Sequence, residues 1–536
     1  MTPGPGLRRV SRLTPAAVVA LAASVPLILR VLLLPVFPPP VPTIADEFCH
    51  LLAADTFASG RLVNPPLPFP DAFETFYVLQ RPTYASMHPA GQGLVLAAGK
   101  VLAGSPWAGV LGSVGLMCAA VAWLLLAWVP PRWALPGSLA FGLIYGVEHY
   151  WMNSYWGGAA AATGGALWLG AASRIVRGDR GGVSPAMTGL MLGLGAGILI
   201  HTRPWEGAFL CLGTLLGFAL IARPGLRERL RRRLAGAAPA AATVIGGALL
   251  LLGLWTWRVT GQAFLHPRNL YQKTFVAAPA LVWQDPSVPT GSFRAPNLRR
   301  YLGEWQKNSQ SWGGAEASVP AWLGFAVWLK NFKILDVSVA AALLLLAASR
   351  GEGPRLVVVT FATFFAGVSL QNFRQMHYLA PAFGLFALLV VLALRTLSCG
   401  LLRRHAFGRA LPALLVAAAA AGLVRNMVLT GRGEPDAFGS RRESVVRRLE
   451  NLPGGHLVFV RYAPGWDNDR DWIVNGADIR GAKIVFARQL TDPEDARLTE
   501  WLGPRTIWRL EAGPGPGDTT LVPGVAEPSR ARANGN

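Results

Sequence analysis

The sequence predicts an all-α polytopic membrane protein of about eleven transmembrane helices, followed by a small C-terminal α/β domain. Three observations predict it. Charged residues make up 15% of the 536 and hydrophobic residues 52%, whereas soluble domains carry about 25% charged residues. Apolar runs of about 16 residues or more recur along the chain. Arg is concentrated in the short loops between those runs, the pattern of loops on the cytoplasmic side. The net charge of +21 therefore reads as a topology signal and headgroup contact, Arg231-Arg232-Arg233 included, and nucleic acid is not an expected partner.

Arg8, Arg9 and Arg12 precede the first apolar run. That run is too long for a cleaved leader and lacks a small-x-small site, so it reads as a retained first helix with a cytoplasmic N-terminus. Candidate spans follow at 16–36, 106–128, 133–147, 158–173, 186–202, 206–222, 235–257, 325–348, 356–372, 378–395 and 411–430. The segment 91–104 is apolar but short. Read as interfacial or re-entrant, it places the Arg-rich loops 1–15, 174–185, 223–234, 349–355 and 396–410 all in the cytoplasm. The outer face then receives 37–105, 148–157, 203–205, 258–324, 373–377 and the C-terminal region. Cys118, Cys211 and Cys399 lie in or beside apolar runs and Cys49 is alone in the first loop, so no structural disulfide is expected.

The chain divides into a transmembrane domain at 1–430, an extracytoplasmic α/β domain at 431–512 and a Gly/Pro-rich tail at 513–536 that reads as disordered. Within the second unit Glu443–Leu449 reads as a helix. H-L-V-F-V-R-Y, K-I-V-F-A-R and R-T-I-W-R-L read as strands, with a helix over Asp492–Leu502 that T-D-P-E begins.

Most of the unusual polar clusters fall on the outer face. Asp46, Glu47 and His50 share one helical turn after the first span. A carboxylate there can act as a general base, and Thr43-x-x-Asp46 also fits a helix cap. Arg81 and His88 precede P-A-G-Q-G, where a helix start could face an anion; basic groups facing headgroups are the other reading. In H-T-R-P-W-E, His201, Arg203 and Glu206 stand where two helices meet, as cavity-lining groups or a local ion pair. Arg374, His377 and Tyr378 suit a phosphate, or a snorkelling Arg. Glu148, His149, Asn153 and Trp156 offer ligand contacts or an aromatic belt. Loop 258–324 mixes His266, Arg268, Tyr271, Lys273, Trp283, Arg294 and Trp305, a set suited to a sugar or headgroup as much as to an interfacial surface. No zinc spacing, Walker motif or G-x-S-x-G elbow occurs, and a divalent cation stays open.

One transmembrane helix, then the pair Asp46-Glu47 in a long outer loop, then H-P-A-G-Q-G before the next span, resembles the GT-C glycosyltransferase superfamily. The resemblance runs over about residues 15–430 and is strongest to bacterial protein O-mannosyltransferase and aminoarabinose-transferase types. It implies a GT-C-like fold, a polyprenyl-phosphate-linked sugar as donor and an acceptor outside the cytoplasm of a bacterial cell. It implies Asp46 as catalytic base, Glu47 as its neighbour and His88 near the donor phosphate. Ala90 departs from the family's second proline. The expected activity is inverting transfer to an acceptor hydroxyl or amine. The rivals are a non-catalytic lipid-linked-sugar binding or assembly protein and a polyprenyl-lipid transporter; the absence of an internal repeat disfavours the transporter.

Overall fold

The structure, a computed structural model, describes residues 13–178, 182–221, 224–302, 340–341, 343–345, 351–372, 375–400, 402–430, 437–464, 466, 470–513 and 518–524. The first helices are α1 (Pro15–Leu32) and α2 (Ala45–Ala58). A two-strand hairpin follows, β1 (Val78–Leu79) against β2 (Ala85–Ser86). Then come α3 (Ala90–Ala103), α4 (Pro106–Leu126), α5 (Pro131–Leu143), α6 (Ala159–Arg177), α7 (Pro185–Thr202), α8 (Pro204–Ile221) and α9 (Pro224–Thr260). Next are α10 (Pro267–Phe275), α11 (Pro296–Arg300), α12 (Glu352–Ser369), α13 (Phe383–Cys399) and α14 (Ala406–Thr430). Proline opens many of these helices because its missing N–H costs nothing in the first turn and its φ is already helical. Thr14 and Ser184 add side-chain caps, accepting the amides of Ala17 and Met187 at 3.2 Å each.

Seven of the described helices are long and apolar enough to cross a membrane: Pro15–Leu32, Pro106–Leu126, Pro185–Thr202, Pro204–Ile221, Gly225–Thr260, Met376–Cys399 and Ala406–Leu429. The protein is thus a multi-pass membrane protein, with fewer full spans among the described residues than the eleven expected. The candidate span at 325–348 lies almost wholly outside the described residues. α5, at 13 residues, rises only about 20 Å. α6 is rich in Ala and Gly and ends in Arg174 and Arg177. The apolar helix α3 has 14 residues, about 21 Å of rise, and packs between α2 and α4.

One boundary is corrected. The Arg-rich stretch expected as a loop at 223–234 continues without a break into the following span, as the 37-residue α9. Arg, Leu and Ala are good helix formers, and the helix carries on through Pro239. At about 55 Å the helix outreaches the bilayer core, so a charged end can stand beyond it.

α4, α5, α6 and α13 build the main core, with Val121, Leu124, Ala162, Ala166, Leu385 and Leu389 buried together. Small residues allow the close approach: a Cβ on Gly165 would lie 1.7 Å from the Pro381 carbonyl oxygen. Close backbone contact replaces the hydrophobic drive that lipid does not supply.

The C-terminal unit comprises α15 (Ala437–Glu450), β3 (His456–Tyr462), β4 (Ile484–Arg488), α16 (Asp492–Leu502), β5 (Thr506–Ala512) and β6 (Thr519–Pro523). The sheet order is β4-β3-β5-β6, with β3 parallel to β4 and β5, and β6 antiparallel to β5. β6 corrects the reading of 513–536 as wholly disordered. The Gly513 amide donates to the Asp518 carbonyl (3.1 Å), and Thr519–Pro523 pairs along the β5 edge. The sheet shares cores with the first outer loop: Phe48 of α2 lies with Phe438 and Trp472, and Cys49 and Leu52 with Leu457 and Leu498. The C-terminal unit and the Asp46 loop therefore stand on the same side of the helical bundle.

Candidate active site

The start of α2 separates the two acids. The buried Glu47 carboxylate accepts the amides of Thr43 (2.8 Å) and Ile44 (3.2 Å), the Thr43 hydroxyl (3.3 Å) and the Tyr155 amide (2.9 Å). It closes the helix end and ties it to the 149–158 segment. Burial raises its pKa, and those four donors oppose the rise. Glu47, not Asp46, is thus the capping acid. Asp46 keeps 23% of its side chain exposed and lies with Oδ1 3.3 Å from Nε2 of His88, ion-pair distance without hydrogen-bond alignment.

His88 is set by the hairpin. Ser86 Oγ accepts its amide at 3.1 Å and also pairs with the Cys49 thiol at 3.0 Å. The His88 ring stacks on His50 of α2, centroids 4.6 Å apart. Burial first, then the nearby His88 and Arg203, hold the His50 imidazole well below its ordinary pKa, so it is neutral at pH 7. Tyr77, just before β1, has a φ of 62°, rare for a residue with a Cβ and costly to hold. Its amide donates to the Tyr271 hydroxyl (3.0 Å), and its carbonyl accepts the Met87 amide (2.9 Å) and the Cys49 thiol (2.8 Å).

The next wall comes from the α7–α8 junction. A Cβ on Gly91 would lie 2.4 Å from Thr202 Cγ2 and 2.7 Å from the His201 carbonyl oxygen. The missing side chain lets the start of α3 sit on the end of α7 and brings His88 and Arg203 to one space. The Arg203 guanidinium lies over the Tyr378 ring at 5.0 Å, and Trp156 packs on His377 with centroids 4.4 Å apart. Glu206 is buried at 3% exposure. α10 closes the far side. His266 caps it, Nδ1 accepting the Arg268 amide at 3.1 Å. Burial, helped by Arg268, His88 and His201, brings the His266 pKa down to about 4. Burial opposes the Arg268 charge, but Tyr378, Glu206 and Asp46 outweigh it and hold its pKa above the ordinary value.

Between these walls lies a cavity of about 1730 Å³, larger than the few hundred to about 1,000 Å³ of an ordinary small-ligand site. Asp46, His50, His88, Trp156, Arg203, Glu206, His377 and Tyr378 line it, as the sequence grouped them, joined by Arg268, Tyr271 and Lys273 of α10. The α10 residues come from the loop that carried two readings. No local pattern joins them to Asp46, more than 200 positions away; only the Arg, Lys and Tyr mixture signalled them.

Of the sequence candidates among the described residues, Glu47, Arg81, Glu148, His149, Asn153, His201, Trp283 and Arg294 do not line the cavity. Glu47 is the cap described above. Arg81 is exposed at the hairpin turn. Asn153 is structural: its amide donates to the carbonyls of Val147 (2.9 Å) and His149 (3.2 Å), and its oxygen accepts Nε of the buried Arg30 at 2.9 Å. His201 is turned to the Ala248 carbonyl at 3.0 Å. Arg374 and Trp305 lie outside the described residues. No group of three or more His, Cys, Asp or Glu among the described residues is placed to hold a metal ion.

No family model and no curated protein matches this sequence. Similar solved structures include ArnT from Cupriavidus metallidurans bound to undecaprenyl phosphate, at a TM-score of 0.48 and 14% identity over 93% of this chain and 92% of that one. The Archaeoglobus fulgidus oligosaccharyltransferase in complex with zinc and sulfate gives 0.47 and 11% identity over 82% of this chain and 60% of that one.

Proposed function

We propose that the chain is an inverting glycosyltransferase of the bacterial cytoplasmic membrane. It moves a sugar from a polyprenyl-phosphate donor to an extracytoplasmic acceptor hydroxyl or amine. The observation that carries this reading is the division of labour between two adjacent acids. Glu47 spends its carboxylate on backbone amides, while Asp46 faces a cavity whose other wall holds Arg203 and Arg268. Asp46 takes the acceptor proton as the acceptor atom attacks the anomeric carbon from the face opposite the leaving group. The bond from that carbon to the phosphate oxygen breaks, and the electron pair leaves with the phosphate. Arg203 and Arg268, with Tyr378 between them, are the groups that meet the developing negative charge. His50 and His266, held neutral, offer hydrogen bonds to hydroxyls without adding charge.

The test is Asp46→Asn in full-length protein, with undecaprenyl phosphate as the binding probe and sugar transfer from native membrane lipid as the activity. The amide keeps the shape but is a far poorer base, so transfer falls by at least about 10² while probe affinity stays near wild type. Glu47→Gln is the contrast, and should lose thermal stability before it loses base function. Near wild-type transfer by Asp46→Asn would move the base elsewhere.

A further inference from the structure

In open α/β sheets, ligands bind outside the carboxyl ends of the parallel strands. In the C-terminal unit that edge is filled by the chain itself. Arg488, the last residue of β4, is 6% exposed and reaches three separate regions. Its Nε donates to the Glu74 carbonyl at 2.9 Å, one terminal nitrogen to Asn297 Oδ1 at 3.1 Å, and the other to Asp471 Oδ2 at 2.6 Å. The guanidinium also lies 5.2 Å from the centre of the Tyr462 ring, at the end of β3. Asp471 is buried in turn, accepting the Tyr462 hydroxyl and the Ile473 amide.

The two outer loops held by Arg488 are also tied to each other. The Glu74 carboxylate accepts the amides of Arg294 (2.8 Å) and Ala295 (2.7 Å). Tyr77 follows Glu74 closely and Tyr301 follows Asn297, and both line the cavity. A planar cation with several fixed donors can hold a carbonyl, an amide oxygen and a carboxylate at once, and an ammonium cannot match that geometry. Other contacts support the same seam: Tyr84 donates its hydroxyl to the Asn475 carbonyl at 3.3 Å, and Arg442 lies over Phe48 at 4.8 Å. The exposed pair of Arg294 with Glu494 crosses the seam too, but solvent screening leaves such a pair little weight.

We infer that the C-terminal domain is the keystone of the site: Arg488 is a positioning residue that locks the loops bearing Tyr77 and Tyr301 into the cavity wall, and the domain's ligand edge serves as this latch. The link to catalysis rests on the reading of the cavity as the transferase site; the latch itself does not.

The experiment compares full-length wild type, Arg488→Met, Arg488→Lys and Asn297→Ala in detergent, by hydrogen exchange and by binding of undecaprenyl phosphate. Asn297 lies outside the C-terminal domain, so its variant leaves that domain's fold intact. In all three variants, amides in 73–79 and 294–302 should exchange at least about tenfold faster, with β3 and β5 as protected as in wild type. Probe affinity should fall about tenfold, because the binding-competent wall is less populated. Glu494→Gln, which weakens only the exposed pair, should change neither. Faster exchange confined to β3, β4 and β5 would make Arg488 an internal brace of its own domain and overturn the inference, as would unchanged loops in Asn297→Ala. If wild type does not bind the probe but the loops still open in the variants, the latch stands and the transferase reading falls.

Discussion

His266 and Glu47 show how single buried groups set the response of this site to pH. Burial brings His266 down to about 4 from an unfolded value near 6.5. Between those values the unfolded chain binds the proton and the folded chain does not. Stability is therefore complete above about pH 6.5, falls as pH drops towards 4, and levels below that. The loss is at most about 3 kcal/mol, less whatever residual solvent screens. Glu47 acts in the opposite sense, since its raised pKa makes the folded state the better proton acceptor. Thermal melting in detergent at pH 7.5 and 4.5 should show a smaller acid loss in His266→Gln than in wild type. Equal losses would mean that His266 is solvated or partnered in the folded protein.

The elements that carry the site are short and meet at their ends: the start of α2, the β1–β2 hairpin, the start of α3, the α7–α8 junction and α10. Placement therefore depends on how closely helix ends can approach. Gly91 is the test case, because a side chain there would strike both Thr202 and the backbone of His201. Gly91→Val should push α3 from α7, at about 1–3 kcal/mol of overpacking, and widen the separation of His88 from Arg203. Melting temperature and affinity for undecaprenyl phosphate should both fall. Gly112→Val is the control: on α4, Gly112 has no atom within 4 Å of a built Cβ. An equal effect of the two would show that the α3–α7 approach has no special part in the site.

The whole molecule collects its chemistry on one side of a helical bundle. The first outer loop, the loop after α9 and the C-terminal sheet share cores and buried hydrogen bonds. Reporters inserted at Gly60 and fused after Thr430 should therefore report the same compartment, and the Arg pattern predicts that it is the extracytoplasmic one. Activity of both only in the cytoplasm would invert the topology while leaving the site intact. Opposite compartments for the two would contradict the shared cores themselves.

Some of this was determined by the sequence alone. Apolar run length, Arg placement and the β-branched and aromatic run of H-L-V-F-V-R-Y act locally, through solvation and backbone preference. They announce membrane helices, a terminal sheet and the helix over Asp492–Leu502 without reference to distant residues. The density of acid and imidazole groups between Asp46 and His88 pointed to the candidate site in the same way. Other features were decided only in three dimensions. That Glu47 caps while Asp46 stays available depends on where the Tyr155 amide arrives. That Arg268 joins Arg203, and Asn153 serves Arg30 instead, depends on which helices lie side by side. β6 exists because β5 offers it an edge. Arg488 reads as one more strand-end arginine until Glu74, 414 positions earlier, is brought to it. A side chain's type fixes which bonds it can make. Which of them it does make is settled by the partners that packing delivers, because a buried polar group takes whatever donor or acceptor the fold places within reach.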